Sequence, residues 1–371
     1  MWLVGDGDLL LVGSDAPLTP RLGAIAAAWR RPGVAEDLRD ARVREPFSLL
    51  SLYAGGPAEL ARYAGNAPIQ TDDRMALEFS GPLAALGGAV GNHAGAIRAQ
   101  LDGRQRPEAV ARALDGATAA QWRNRAAMSM EVQAFGAAYR DYDTALGLAP
   151  TDPETLDGFV RAAGAARREA DAEARLRLII GRAGGAASTR VALASLLGAR
   201  GRFDEAVALV TEATALAPRD PAAWEQLASL HADRADVDRL APVIDVLLRD
   251  FPARAASWYF AASATFLRGD AAGALPLVRR AIALDPRHAD AQNLLGAVRA
   301  TEGDLAAARE AFHTSLRLDP RDAVTYTNLA QMELAAGRRA VAADLFAEAL
   351  SLDPASAQAR EGLAQAAPAA R

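Results

Sequence analysis

The sequence predicts a mainly α-helical solenoid of stacked helix pairs, preceded by a small α/β region. Three observations carry that expectation. Pro218, Pro252, Pro286, Pro320 and Pro354 stand 34 residues apart, and Pro150 lies two such periods before Pro218. Most of them close a similar phrase, as in Leu148-Ala149-Pro150, Leu216-Ala217-Pro218, Leu284-Asp285-Pro286, Leu318-Asp319-Pro320 and Leu352-Asp353-Pro354. Apolar residues make up 51% of the chain and alanine dominates them, which favours close-packed helices over a sheet-rich fold.

Within each period the apolar and small residues recur at helical spacing. Repeat 289–322 carries Leu295, Gly296, Ala308, Phe312, Ser315 and Leu318, with Gly303 between its two helices. Repeat 323–356 carries Tyr326, Leu329, Ala330, Gly337, Ala342, Phe346 and Ala349. Trp122, Trp224 and Trp258 hold the fourth position of earlier repeats. Two short amphipathic helices joined by a glycine turn and stopped by proline account for this pattern. Neither helix of such a pair buries its own face, so the pairs must stack. Seven repeats are read, 119–152, 153–186, 187–220, 221–254, 255–288, 289–322 and 323–356, with a capping helix from Ala357. Turns are expected near Gly201, Gly269, Gly303 and Gly337; repeat 153–186 has Arg167 where the glycine is expected, and repeat 221–254 lacks it too. Pro242 and Pro276 fall at one position of neighbouring repeats and should bend the second helix or delay its start, on the outer face. Period and residue types together resemble the tetratricopeptide repeat family. A generic helical bundle would have no reason to keep the period.

Residues 1–82 read differently. Trp2-Leu3-Val4, a Gly5-Asp6-Gly7-Asp8 turn and Leu9-Leu10-Leu11-Val12 suggest a β-hairpin, and its second strand is apolar on both faces. Such a hairpin, marginal by itself, would seek a partner strand or self-associate. Helices are expected from Thr19-Pro20 to about Arg30, around Phe47–Tyr53 and at Ala58–Tyr63. The segment Gln70-Thr71-Asp72-Asp73-Arg74-Met75-Ala76-Leu77-Glu78-Phe79 then resembles the end of bacterial spermidine-synthase-like proteins, some of which carry tetratricopeptide repeats. Gln70 and Met75 depart from that family's Asn and Pro. The resemblance implies a nucleotide-binding α/β sheet with a Gly-rich aminopropyl-donor loop and a catalytic Asp, but both lie upstream of the part matched. No active-site residue carries over. Residues 83–118 read as a linker with helices, and 119–371 as the solenoid.

Composition narrows the chemistry. A net charge of −5 argues against a nucleic-acid surface. Lys is absent, as in GC-rich bacterial genomes, which excludes a P-loop and a Schiff-base lysine. Cys is absent too, so thiol nucleophiles and thiolate metal sites are excluded. No stretch reads as a membrane span or signal peptide, and a cytoplasmic protein is expected. Asp72, Asp73 and Glu78 would serve as a cation or acid/base cluster, or else as partners that neutralise Arg74. Gly87, Gly88 and Gly91 read as flexible linker. His93, His231, His288 and His313 are scattered without metal spacing. Neither a metal nor a cofactor is expected.

The resemblance instead implies a binding groove. Tetratricopeptide proteins line their concave face with the first helix of each repeat, through its second, fifth, ninth and twelfth positions. The last three lie on one stripe, four and three residues apart. Here that stripe supplies Arg123, Arg161, Glu225, Ser229, Tyr259, Ser263, Phe266, Asn293 and Gln331. Tyr259 and Phe266 are the paired aromatics, with Tyr259 expected to be wet and Phe266 either groove wall or inter-repeat packing. The basic and Asn set used to clamp a C-terminal carboxylate is missing. The expected function is a non-catalytic scaffold that binds a peptide or protein segment. The alternative is the regulatory end of a spermidine-synthase-like aminopropyltransferase.

Overall fold

A computed structural model describes residues 2–4, 8–10, 27–40, 43, 45–51, 108–182 and 186–366. The chain divides into two compact units, Met1–Ala192 and Leu193–Arg371. In the first, β1 (Trp2–Val4) pairs antiparallel with β2 (Asp8–Leu10), Leu3 opposite Leu9. Helices α1 (Val34–Asp40), α2 (Pro46–Ser51) and α3 (Glu108–Asp115) follow. Then come α4 (Ala119–Glu131), α5 (Phe135–Leu148), α6 (Pro153–Ala165), α7 (Glu169–Arg182) and the start of α8 (Ala187–Ala199).

The second compact unit continues with α9 (Phe203–Leu216), α10 (Pro221–Asp233), α11 (Val237–Asp250), α12 (Ala255–Leu267) and α13 (Ala271–Leu284). It ends with α14 (Ala289–Thr301), α15 (Leu305–Leu318), α16 (Ala323–Ala335), α17 (Arg339–Leu352) and α18 (Ala357–Ala366). First helices begin at 119, 153, 187, 221, 255, 289 and 323, and second helices at 135, 169, 203, 237, 271, 305 and 339. The 34-residue period is therefore one helix pair, and each compact unit is a stack of such pairs. The fold is mainly helical and of the solenoid type.

Local chemistry explains why the register is so regular. The residue before a first helix is a side-chain cap at the same point of the period: Thr118, Asp152, Asp220, His288 and Asp322 each accept a backbone N–H of the first turn. Asp236, Asp270 and Asp304 do the same for second helices. The left-handed turn residue between paired helices also recurs every 34 residues. It is glycine at 201, 269, 303 and 337, but Gln133 (φ 59°), Arg167 (φ 55°) and Ala235 (φ 52°) adopt the same conformation. Repeats without the expected glycine thus keep the turn at the cost of backbone strain.

Packing joins the pairs. Trp224 Nε1 donates to the carbonyl of Pro218 at 3.0 Å and Trp258 Nε1 to that of Pro252 at 2.8 Å, so the fourth-position tryptophan ties a first helix to the preceding proline. Gly296 lets α14 approach Phe312 of α15; a Cβ there would lie 2.6 Å from the ring. Phe159, Phe312 and Phe346 are fully buried, and α18 covers Phe346 with Ala359 and Ala366. In the first compact unit Phe47 of α2 meets Trp122 of α4 edge-on at 5.5 Å, and Asn124 donates to Glu45 at 2.8 Å. The helical stretch expected around Phe47 is therefore docked on the first repeat.

Pro242 and Pro276 correct one expectation. Both lie inside 14-residue helices that start in register. Asp236 and Asp270 cap those starts, and the cap outcompetes the proline. Both prolines are exposed, as expected. Beyond the short pair β1–β2, an α/β region over 1–82 is not shown. The turn 5–7, the helices at Thr19 and Ala58, the segment 67–82 with Asp72, Asp73 and Glu78, the glycines at 87–91 and His93 lie outside the described residues.

Candidate functional site

The first-helix face of the second compact unit is built by α10, α12, α14 and α16, which touch their neighbours in that order. Its ninth-position row of Ser229, Ser263, Ala297 and Gln331 runs half-buried to exposed, without a large side chain to fill it. Around the row stand Tyr259, one turn before Ser263 in the same helix, and Asn293, whose Oδ1 accepts from Asn328 Nδ2 at 3.0 Å.

Several stripe residues are committed to the joint between repeats. Arg123 pairs with Asp152 at 2.6 Å and with Glu154 at 3.1 Å. Glu225 pairs with Arg254, and the Tyr259 ring lies 5.1 Å from that of His288. In each case a fifth-position side chain reaches the residue just before the next first helix. Arg161 is exposed and bridges Asp157 within its own helix at 2.9 Å. Phe266 is half-buried against the core of Ala262, Val278 and Leu294. Tyr259 packs on the same core rather than standing wet. Burial raises its phenol pKa, helped by the charge of Asp290. The stripe therefore combines joint residues with an open polar row, within two separate compact units.

Residues that sequence reasoning passed over also belong to this face. Asp233 is raised above the usual carboxylate range by the surrounding protein and by the charge of Asp290; because Asp233 is exposed, that charge is the firmer cause. Asp290 is raised by the surrounding protein and by Asp322 and Asp319, while His288 opposes the shift. The Asp290 side chain still keeps 65% of its surface in water, so its carboxylate neighbours are the firmer cause. The recurrence of Asp or His just before first helices was a readable signal for His288 and Asp322. Nothing in the sequence pointed to Asp233, Arg254 or Asn328. His231 is buried at 6% exposure with Nδ1 unpartnered, and burial lowers its pKa. Among the described residues no three His, Asp or Glu side chains gather as a metal set.

Comparison with known proteins agrees with this architecture. Tetratricopeptide-repeat models match residues 187–230 and 268–323. The chain is similar to the Cut9–Hcn1 hetero-tetramer of APC/C at 15% identity and TM-score 0.52, over 90% of this chain and 67% of the other. A tetratricopeptide repeat protein from Parabacteroides merdae matches at 14% identity and TM-score 0.50, over 67% and 98% of the two chains. A thermophilic tetratricopeptide protein of Thermus thermophilus, TTC0263, matches at 24% identity and TM-score 0.45, over 49% and 98%. No curated protein matches the sequence. The chain carries tetratricopeptide repeats in a helical solenoid. The spermidine-synthase-like resemblance of residues 1–82 finds no support in these comparisons. Among the described residues no helix is long and apolar enough to cross a membrane.

Proposed function

We propose that this chain is a non-catalytic, cytoplasmic interaction scaffold that seats a peptide or protein segment on its first-helix face. Residues 119–371 form the binding solenoid, 83–118 a linker with helices, and 1–82 a region that docks on the first repeat through Phe47 and whose hairpin is available to a partner strand. The observation that carries the binding role is the open row Ser229, Ser263, Ala297 and Gln331 beside Tyr259 and Asn293. A row with small side chains at Ser229, Ser263 and Ala297 leaves room for a ligand backbone, and polar groups beside it supply its hydrogen bonds. Arg123 and Arg161 are the counterpart on the first compact unit. Glu225 and Phe266 frame the groove.

A photo-crosslinking residue at Gln331 tests the assignment against one at Pro276, on the exposed side of α13. Partner peptides should be captured from Gln331 and not from Pro276, and Ser263→Arg, which fills the row, should weaken the captured partner about tenfold. Capture from Pro276 alone would place binding elsewhere. The Thr71-Asp72-Asp73-Arg74 segment supports a second reading, the regulatory end of a spermidine-synthase-like aminopropyltransferase. An open reading frame immediately upstream that encodes a Gly-rich donor loop would favour it.

A further inference from the structure

A second surface in the first compact unit is built by second helices, not first ones. A cleft of about 660 Å³ lies between α5 and α7. Two ties hold its walls: Arg175 pairs with Asp143 at 2.6 Å, and the Arg168 guanidinium covers the Tyr139 ring at 4.8 Å from its centroid. Arg168 is itself paired with Asp171 at 2.7 Å. The third guanidinium of the cleft, Arg140, is exposed and has no carboxylate partner among the described residues. Leu178, on the facing helix, keeps 43% of its surface in water.

We propose that this cleft docks an acidic peptide segment, with one of its carboxylates on Arg140 and an adjacent apolar side chain on Leu178. Charge complementarity selects the occupant. Three guanidiniums face two carboxylates, both of which are already engaged, so one positive charge is left to recruit an acid. Asp143 and Asp171 would repel the closely spaced phosphates of a nucleic acid. A lone small anion would fill little of the cleft and gain only a solvent-screened contact. A peptide adds apolar burial against Leu178, and the planar Arg140 fork suits a bidentate carboxylate.

Fluorescence anisotropy on the full chain at low salt provides the test. The probe is a labelled peptide repeating Asp-Leu-Ser, with a Lys-Leu-Ser peptide as the control. The acidic peptide should bind and the basic one should not. Arg140→Glu should weaken binding about tenfold, the scale of one lost charge-assisted hydrogen bond, while Arg140→Lys should retain most of it. Arg140→Glu should leave the capture of partner peptides from Gln331 unchanged, which separates the proposal from the groove reading. Equal binding of the two peptides, no binding to the unmodified chain, or an affinity unmoved by Arg140→Glu would each overturn it. Circular dichroism confirms that the exposed substitution leaves the helices intact.

Discussion

Glu333 carries its charge where almost no water reaches, with 2% of its surface exposed. Arg309 Nε donates to it at 2.7 Å, and Arg338 supplies a second guanidinium. Burial alone would raise the Glu333 pKa, but these hydrogen bonds outweigh burial and hold it below the ordinary 4.5. A depressed folded-state pKa means the stabilisation is complete above the unfolded value and fades as pH falls through the folded one. Glu333→Ala should therefore cost about 2 kcal/mol at neutral pH, the scale of lost charge-assisted hydrogen bonds to partly exposed guanidiniums. The gap between variant and parent should narrow as pH falls below the ordinary 4.5 and the parent's carboxyl protonates in turn. Thermal melts at neutral and acid pH check this, and an equal loss at both would contradict the pairing. The same scale governs the groove. Arg123, Glu225 and Tyr259 share one helical position, yet each is engaged at a joint between repeats, so position in the period does not by itself make a residue a ligand contact.

Helix pairs are set by what happens within a few residues of their ends. Caps such as Asp236 and Asp270 start second helices in register even with Pro242 and Pro276 inside them. The turns follow the same logic. Arg167 and Ala235 adopt the left-handed conformation that glycine adopts elsewhere in the series. That conformation costs a side-chain-bearing residue about 1–2 kcal/mol, of which glycine's greater unfolded-state freedom cancels part. Ala235→Gly should accordingly stabilise the chain by about 0.5–1 kcal/mol. Urea unfolding measures this directly. No gain would mean that repeat 221–254 relaxes its turn by some other route.

Across a stack of helix pairs, stability is a sum of repeats and the joints between them. Removing 289–322 excises one period and leaves the neighbouring faces able to meet, since repeats on either side present equivalent surfaces. Removing only α14 strands Phe312, which is fully buried beneath it. The half deletion should lower the melting temperature far more than the whole one, as circular dichroism can show. Equal losses would indicate that the repeats are not interchangeable.

The sequence by itself determined the period, the bounds of the repeats and most of the turns. Proline, glycine and capping side chains act on backbone within a few residues, so their spacing is legible without knowing what packs where. The tetratricopeptide resemblance marked the first-helix stripe, and helical periodicity places its residues on one face. It left open which stripe residues face solvent. The joints Arg123–Asp152, Glu225–Arg254 and Tyr259–His288 each link residues 29 apart in the chain, and only the stacking of one pair on the next brings them together. The cleft at Arg140 is likewise a product of packing. Its walls come from different repeats, and neither helix alone shows that one guanidinium remains unmatched.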